Sequence, residues 1–460
     1  MTKKFIILIS ISVGLGLLMN SLGLDSHQSL AIAIFSTSIL GTLFFWDFRL
    51  SFALLGTSLL LVTKTIDLEH LIKYSSLEVI LFLVGMMVLV GLLKENGLFN
   101  LVSRALLTFK HITARKLIII ISIVSALLAA TIDEVTSIIF MTAAILEICD
   151  HLEIDPVPLV IMSILATNIG SSATVLGNPI GILIATKSGL TFEDFIIKAM
   201  PISILCLLAS MSICLFWYRK VLNEMDKKIK RFKDSEILAM KPHGPITKGL
   251  KISLAIFGVT LVVIALHYRI ENFLGLEPST VLLTVPLFSS GLVLIWKRHN
   301  ARERIEKDVE WWTLLFFLLL FAQAGTLKYT GATDVLSRSL VNLTGSNIPL
   351  LTGAILWISS IGSSVLDNVV MVAAMVPTII SFKALNFGVQ PLWWALLFGG
   401  CLGGNITLVG STANIVALGI LEKEKKIRIS FMQWFGIGLT VGLVTTIIAW
   451  IVLLFVPFYK

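Results

Sequence analysis

The stretch "LLAATIDEVTSIIF" (127–140) places Asp133 and Glu134 side by side in an apolar run. Leu117–Ala130 upstream and Val135–Leu146 downstream are uncharged over 14 and 12 residues. Neither flank reaches the ~20 residues that a helix needs to cross a bilayer core. In a membrane protein the two acids therefore do not sit in a loop between complete spans but lie at membrane depth. A carboxylate there costs roughly 2.5 kcal/mol or more and marks a functional position by default.

Composition places the chain in a membrane. Of its 460 residues, 56% are hydrophobic and 14% charged, against about 25% charged in soluble domains; mean hydropathy is +0.94. Apolar runs of spanning length recur from Phe5 to Pro457. They are continuous rather than alternating, which predicts an all-α polytopic protein and excludes a barrel. "MTKKFIILISISVGLGLLM" (1–19) has a basic start and an apolar core but no small-x-small cleavage site, and reads as the first span.

The net charge of +8 does not indicate nucleic acid. Arg219–Lys251 holds ten Lys/Arg against four acids, and "KENGLFNLVSRALLTFKHITARK" (94–116) and "WKRHNARERIEK" (296–307) form two further clusters. All three read as topology anchors facing the cytoplasm. The cysteines Cys149, Cys206, Cys214 and Cys401 form neither a disulfide framework nor a metal spacing.

The apolar runs near 117–148 and 348–382 exceed one crossing, and acids interrupt both midway. If each enters and returns on one side, the chain crosses about eleven times, with two re-entrant hairpins and a cytoplasmic N-terminus. All the basic clusters then fall inside, as expected for a multi-pass protein of the cell (inner) membrane.

The chain repeats itself. At a shift of 234, "LVSRAL" (101–106) falls on "VLSRSL" (335–340), Lys94 on Lys328, Gly97 on Gly331, Asp133 on Asp367 and Glu134 on Asn368. At a shift of 233, "ATVLG" (173–177) falls on "ITLVG" (406–410). Five crossings separate the copies, so their orientations are opposite. Inverted repeats with interrupted apolar segments are the layout of secondary transporters, with the binding site near the midplane between the breaks. The expected organisation is N-terminal scaffold helices over 1–75 and repeat 1 over 76–218, with hairpin 116–149 and broken helix 157–187. A basic loop (219–248) and linking helices (249–310) follow. Repeat 2 covers 311–460, with hairpin 348–383 and broken helix 391–421.

Each copy carries two breaks. The first is a hairpin tip, with Asp133 and Glu134 in copy one and Asp367 and Asn368 in copy two. The second is a polar, Gly-rich opening in the next span: "TNIGSSATVLGNPIG" (167–181) and "GGNITLVGSTANIV" (403–416). Freed backbone groups there need partners, and half-helix ends attract ions. The candidate binding residues are Asn168, Gly170, Ser171, Ser172, Thr174, Gly177 and Asn178 in copy one, and Asn405, Thr407, Gly410, Ser411, Thr412 and Asn414 in copy two. Small residues also let helices pack closely in bilayers, but two matched stretches, each following a tip, point to a site. Leu117–Ala185 contains no Lys or Arg, and Ile348–Leu421 contains only Lys383. Carboxylates without a fixed positive partner either take up a proton or bind a cation. H⁺ or Na⁺ is thus the expected coupling ion, with Na⁺ at Asp133, Asn168, Asp367 and Asn405, and no other cofactor.

"VLDNVVMVAAMVP" (365–377) and "TNIGSSATVLGNPIG" resemble the ion transporter superfamily, in its ArsB/NhaD/P-protein (CitMHS-like permease) branch. The likeness is clearest over 75–421. It implies a homodimer in the lipid bilayer with elevator-like movement of the hairpin-containing domain. The motifs carry over to the tips, to Asn168, Gly170, Thr174, Gly177, Asn178 and Pro179, and to Asn405, Thr407, Gly410, Ser411 and Asn414. Two departures stand out: the tips are acidic where the divalent-anion symporters carry Ser-Asn-Thr, and Gly181 replaces an Asn. The expected function is a transporter, coupled to H⁺ or Na⁺, of a small inorganic ion or oxyanion, by Na⁺/H⁺ antiport or arsenite-type efflux. The alternative is Na⁺-coupled symport of a carboxylate or sulfate-like anion. The seven histidines fall in or beside loops, and no HExxH or Gly-x-Ser-x-Gly motif appears, so nothing points to an enzyme.

Overall fold

The computed structural model describes residues 2–21, 23–98, 101–102, 113–230, 247–345, 347–385 and 387–456. Within them the regular elements are helical. The first group is α1 (Thr2–Ser21), α2 (Ser26–Phe44), α3 (Arg49–Val62), α4 (Leu68–Tyr74) and α5 (Leu77–Glu95). A helical pair follows, α6 (Ala114–Thr131) and α7 (Glu134–His151), then α8 (Val157–Gly170) and α9 (Pro179–Ser188). Next come α10 (Met200–Trp217), α11 (Arg219–Ile229), α12 (Lys248–Ala265), α13 (His267–Leu274), α14 (Thr280–Trp296) and α15 (Ala301–Asp308). The remainder is α16 (Trp311–Tyr329), α17 (Ala332–Thr344), α18 (Ile348–Val365), α19 (Asn368–Ala384), α20 (Gln390–Gly403), α21 (Thr412–Lys425) and α22 (Phe431–Phe455).

Nine helices among the described residues are long and apolar enough to span a membrane, or ten if α14 and the helix after it, bent by 98°, form one span. The second member of that bent pair, "RHNARERIEKD" (298–308), is mostly charged, so α14 is the apolar part. Length and apolarity do not count crossings here. The expected span at 50–64 is a helix of 14 residues, and those at 157–186 and 391–421 are each split in two. Much of the two larger basic clusters lies outside the described residues (99–100, 103–112 and 231–246), as does most of "LVSRAL".

Where the sequence repeats, the elements keep register. A shift of 234 carries the start of α5 (Leu77) onto that of α16 (Trp311), α6 (Ala114) onto α18 (Ile348), and α7 (Glu134) onto α19 (Asn368). A shift of 233 carries α8 (Val157) onto α20 (Gln390) and α9 (Pro179) onto α21 (Thr412). Packing follows the same rule. Within each copy the first hairpin arm lies along the first half of the broken helix, α6 on α8 and α18 on α20. Between copies the elements are exchanged: α7 packs on α21, and α19 on α9. The short helices are exchanged too. α15 docks on α5, where a Cβ at Gly91 would strike Asp308, and α4 docks on α16, where a Cβ at Gly325 would strike Tyr74. The shift that carries Gly91 onto Gly325 also carries Tyr74 onto Asp308, so one close approach is built twice.

Two clusters of ends result. At one, Arg304 of α15 is buried and pairs with Glu95 at the end of α5; Arg49 at the start of α3 donates to Thr313 Oγ1 at the start of α16 (3.1 Å). At the other, Tyr329 at the end of α16 donates to Asp67 (3.2 Å), and Gln28 near the start of α2 donates to the carbonyl of Thr330 (3.0 Å).

Candidate functional site

Both acidic tips are helix caps. The Asp133 carboxylate accepts from the amides of Val135 and Thr136 at 2.8 Å each, opening α7. Asp367 accepts from the amide of Val369 (3.0 Å), opening α19, and its other oxygen accepts from the amide and hydroxyl of Thr412 (3.0 and 2.7 Å). Asp367 thus ties the second tip to the start of α21. Asp133 lines a cavity of about 150 Å³ and Asp367 one of about 60 Å³.

Glu134 lies deeper, at 1% exposure. Its oxygens accept from Asn178 Nδ2 (3.3 Å) and Asn368 Nδ2 (3.2 Å). Asn368 is the counterpart of Glu134 in the second copy. A residue that touches its own counterpart stands where the two copies meet. Asn178 also donates to Ser171 Oγ (2.9 Å) and Cys401 Sγ (3.2 Å), while its Oδ1 accepts the Gly181 amide and caps α9.

A second buried cluster joins the two openings. Asn168 Nδ2 donates to the Oδ1 atoms of Asn405 and Asn414, each at 2.9 Å. Asn414 Nδ2 donates to the carbonyls of Gly404 (2.8 Å) and Thr407 (2.9 Å), which the broken helix has freed. Among the described residues, Asn168 Oδ1 and Asn405 Nδ2 are buried without a hydrogen-bond partner; such buried orphans are uncommon in folded proteins.

The remaining candidates hold the scaffold of the site. Thr174 Oγ1 donates to the carbonyl of Ala130 (2.5 Å), and Thr407 Oγ1 to that of Ser364, so each opening is stapled to the end of its hairpin arm. Ser172 faces away from the carboxylates, donating to the carbonyl of Ile169 and meeting Ser203 Oγ of α10 at 2.9 Å. Ser411 caps α21 through the Ala413 amide. Gly170 packs on the Ala126 backbone, Gly177 on Ser171, and Gly410 on Gly404 and Ser363. In the geometry, then, Ser171, Asn178 and Asn368 surround Glu134, while Ser172, Thr174, Thr407 and the glycines do not.

The expectation that no fixed positive charge attends the acids needs correction at Asp367, which lies within electrostatic reach of Arg49. Arg49 comes from α3, outside the stretches around the breaks. The larger cavity also brings in Lys94, Lys307, Asp308 and Glu310 at its wall; Glu310 lies in the field of Asp133. Sequence reasoning missed these residues because they belong to α5, α15 and the approach to α16. Cys401 was missed as well, although the shift of 233 places it on Asn168 and so gave the clue.

A helical membrane core with two opened helices, and carboxylates where two sequence copies meet, defines a membrane transporter. The chain belongs to the CitMHS family, described as citrate transporter, whose model matches residues 42–399. An uncharacterized transporter of Mycobacterium bovis is 32% identical over 406 residues, spanning 86% of this chain and 91% of that one. The human P protein is 26% identical over 464 residues, spanning 84% of this chain and 55% of its own. The crystal structure of the Alcanivorax borkumensis YdaH transporter shares the fold, with a TM-score of 0.55 at 13% identity over 83% of this chain and 86% of that one. The family and these relatives are transporters, not enzymes, and the chain is a multi-pass integral membrane protein.

Proposed function

We propose that the protein is a secondary transporter in which Glu134, with Asp133 and Asp367, exchanges H⁺ for Na⁺ or for another small inorganic solute. The observation that carries this reading is the state of the helix starts facing the site. Helix N-termini are ready-made anion sites only while their leading amides are free. Here Asp133 occupies those of α7, Asp367 those of α19 and α21, Asn178 that of α9 and Ser411 a further one of α21. An anion entering would pass Lys94 and Lys307 at the cavity wall, beside Asp308 and Glu310, and deeper in would meet capped amides and carboxylates. A cation or proton meets Asp133 and Glu134 in the larger cavity and Asp367 in the smaller one, and Asn168 Oδ1 is a buried oxygen available to a hard cation such as Na⁺.

The second reading, Na⁺-coupled carboxylate symport, is favoured by the citrate-transporter description of the family. Purified protein in liposomes loaded with a pH-sensitive dye separates the two. An imposed Na⁺ gradient should drive proton movement in wild type and none in Asp133→Asn, Glu134→Gln or Asp367→Asn. Citrate uptake driven by Na⁺, with no proton movement, would hand the function to symport.

A further inference from the structure

The two ends of the molecule differ although their elements correspond. At the end where α16 finishes, α19 lies along α16. There Lys328 Nζ donates to Ser381 Oγ (2.8 Å) and pairs with Asp334 (2.6 Å). Also at this end α9 lies along α5, and Lys187 pairs with Glu78 at 2.7 Å. At the opposite end the large cavity separates the last turns of α5 from the first turns of α7, with Met87, Val90 and Lys94 on one wall and Thr136 and Ile139 on the other.

The repeat register names what would meet if that end closed. In the first copy, the shift of 234 gives Lys94 as the counterpart of Lys328 and Glu147 as that of Ser381. In the second copy, Trp312 is the counterpart of Glu78 at the same shift, and Ile420 that of Lys187 at a shift of 233. Among the described residues neither the Lys94 nor the Glu147 side chain has a hydrogen bond or ion pair. Lys94 stands in the cavity wall, within the fields of Asp308 and Glu310, and Glu147 is exposed on α7. Trp312 is 49% exposed. Lys94, Glu147 and Trp312 are thus groups without their match.

We infer that in the opposite transport state α7 closes on α5 through a Lys94–Glu147 ion pair and α21 covers Trp312 with Ile420, while Lys328–Ser381 and Lys187–Glu78 separate. The inference rests on alternating access by the two copies, not on which ion is coupled. Each end then closes through one ion pair, Lys94–Glu147 at one and Lys187–Glu78 at the other, beside an uncharged partner contact. An exposed ion pair is weak and screened by salt, which suits a contact broken in every cycle.

Paired cysteines in the full chain, reconstituted in liposomes, test this with a short bifunctional thiol reagent that reduction can cleave. Lys94→Cys/Glu147→Cys and Lys328→Cys/Ser381→Cys should each cross-link, each link should stop transport, and cleavage should restore it. In the four-cysteine chain, linking 328 to 381 first should abolish the 94–147 link. Failure of the 94–147 pair to link while 328–381 links, or both links in one molecule, overturns the proposal. Because cysteine removes both charges, an exchange variant gives an independent reading. Lys94→Glu alone should slow transport at least tenfold and Lys94→Glu/Glu147→Lys should recover most of it; no recovery contradicts the pair. Loss of Na⁺-driven proton movement with cross-linking intact would instead fault the coupling reading alone.

Discussion

Glu134 is the residue on which the proposed chemistry turns. A carboxylate at 1% exposure whose partners are amides rather than a cation pays a desolvation cost that a neighbouring charge would otherwise offset. Glu134→Gln keeps the shape and the possibility of hydrogen bonds, so we expect it to fold with unchanged or raised thermal stability while losing coupled transport. Glycine gives a contrasting case. At Gly170 an added Cβ would meet the Ala126 backbone, whereas at Gly419, inside α21, it would meet nothing within 4 Å among the described residues. Gly170→Ala should destabilise by about 1–3 kcal/mol through overpacking. Gly419→Ala should stabilise by about 0.5–1 kcal/mol through helix entropy. Melting in detergent measures both, and equal shifts would contradict the close approach at Gly170.

At the scale of elements, the hairpins and openings are set by polar residues that cap new helices as soon as old ones end. Thr174 and Thr407 then tie each opening to its hairpin through carbonyls left free at the arm's end. Thr407→Val removes the hydroxyl and leaves the Ser364 carbonyl short of a donor. It should cost about 1–3 kcal/mol and slow transport without abolishing Na⁺ dependence, as initial rates in liposomes would register. This level was the most legible in the sequence. Asp133 in an apolar run, and the nearly constant offset between the copies, located both tips and both openings closely, because charge and glycine break apolar helices locally. What escaped was tertiary. Lys94 and Glu310 reach the larger cavity, and Arg49 the field of Asp367, from segments whose own sequences carry no sign of it, and Cys401 looked like an ordinary apolar residue. The roles within the openings were equally hidden: the sequence cannot distinguish Ser171, turned to Asn178, from Ser172, turned to α10.

For the whole molecule, the exchange of elements between copies matters most. Because α7 packs on α21 and α19 on α9, neither copy completes its site alone, and Glu134 is held by its own counterpart. A chain divided between the copies should therefore be inactive as separate halves and recover transport only when both are produced together. The central claim is that these buried acids trade protons for a cation. Its most direct test is to add Na⁺ to purified protein in weakly buffered detergent solution and record proton release. The account predicts release by wild type that saturates with Na⁺ and is absent from the Asp133→Asn/Glu134→Gln/Asp367→Asn chain. Release from that triple variant equal to wild type, or none from folded wild type at any Na⁺ concentration, would contradict it.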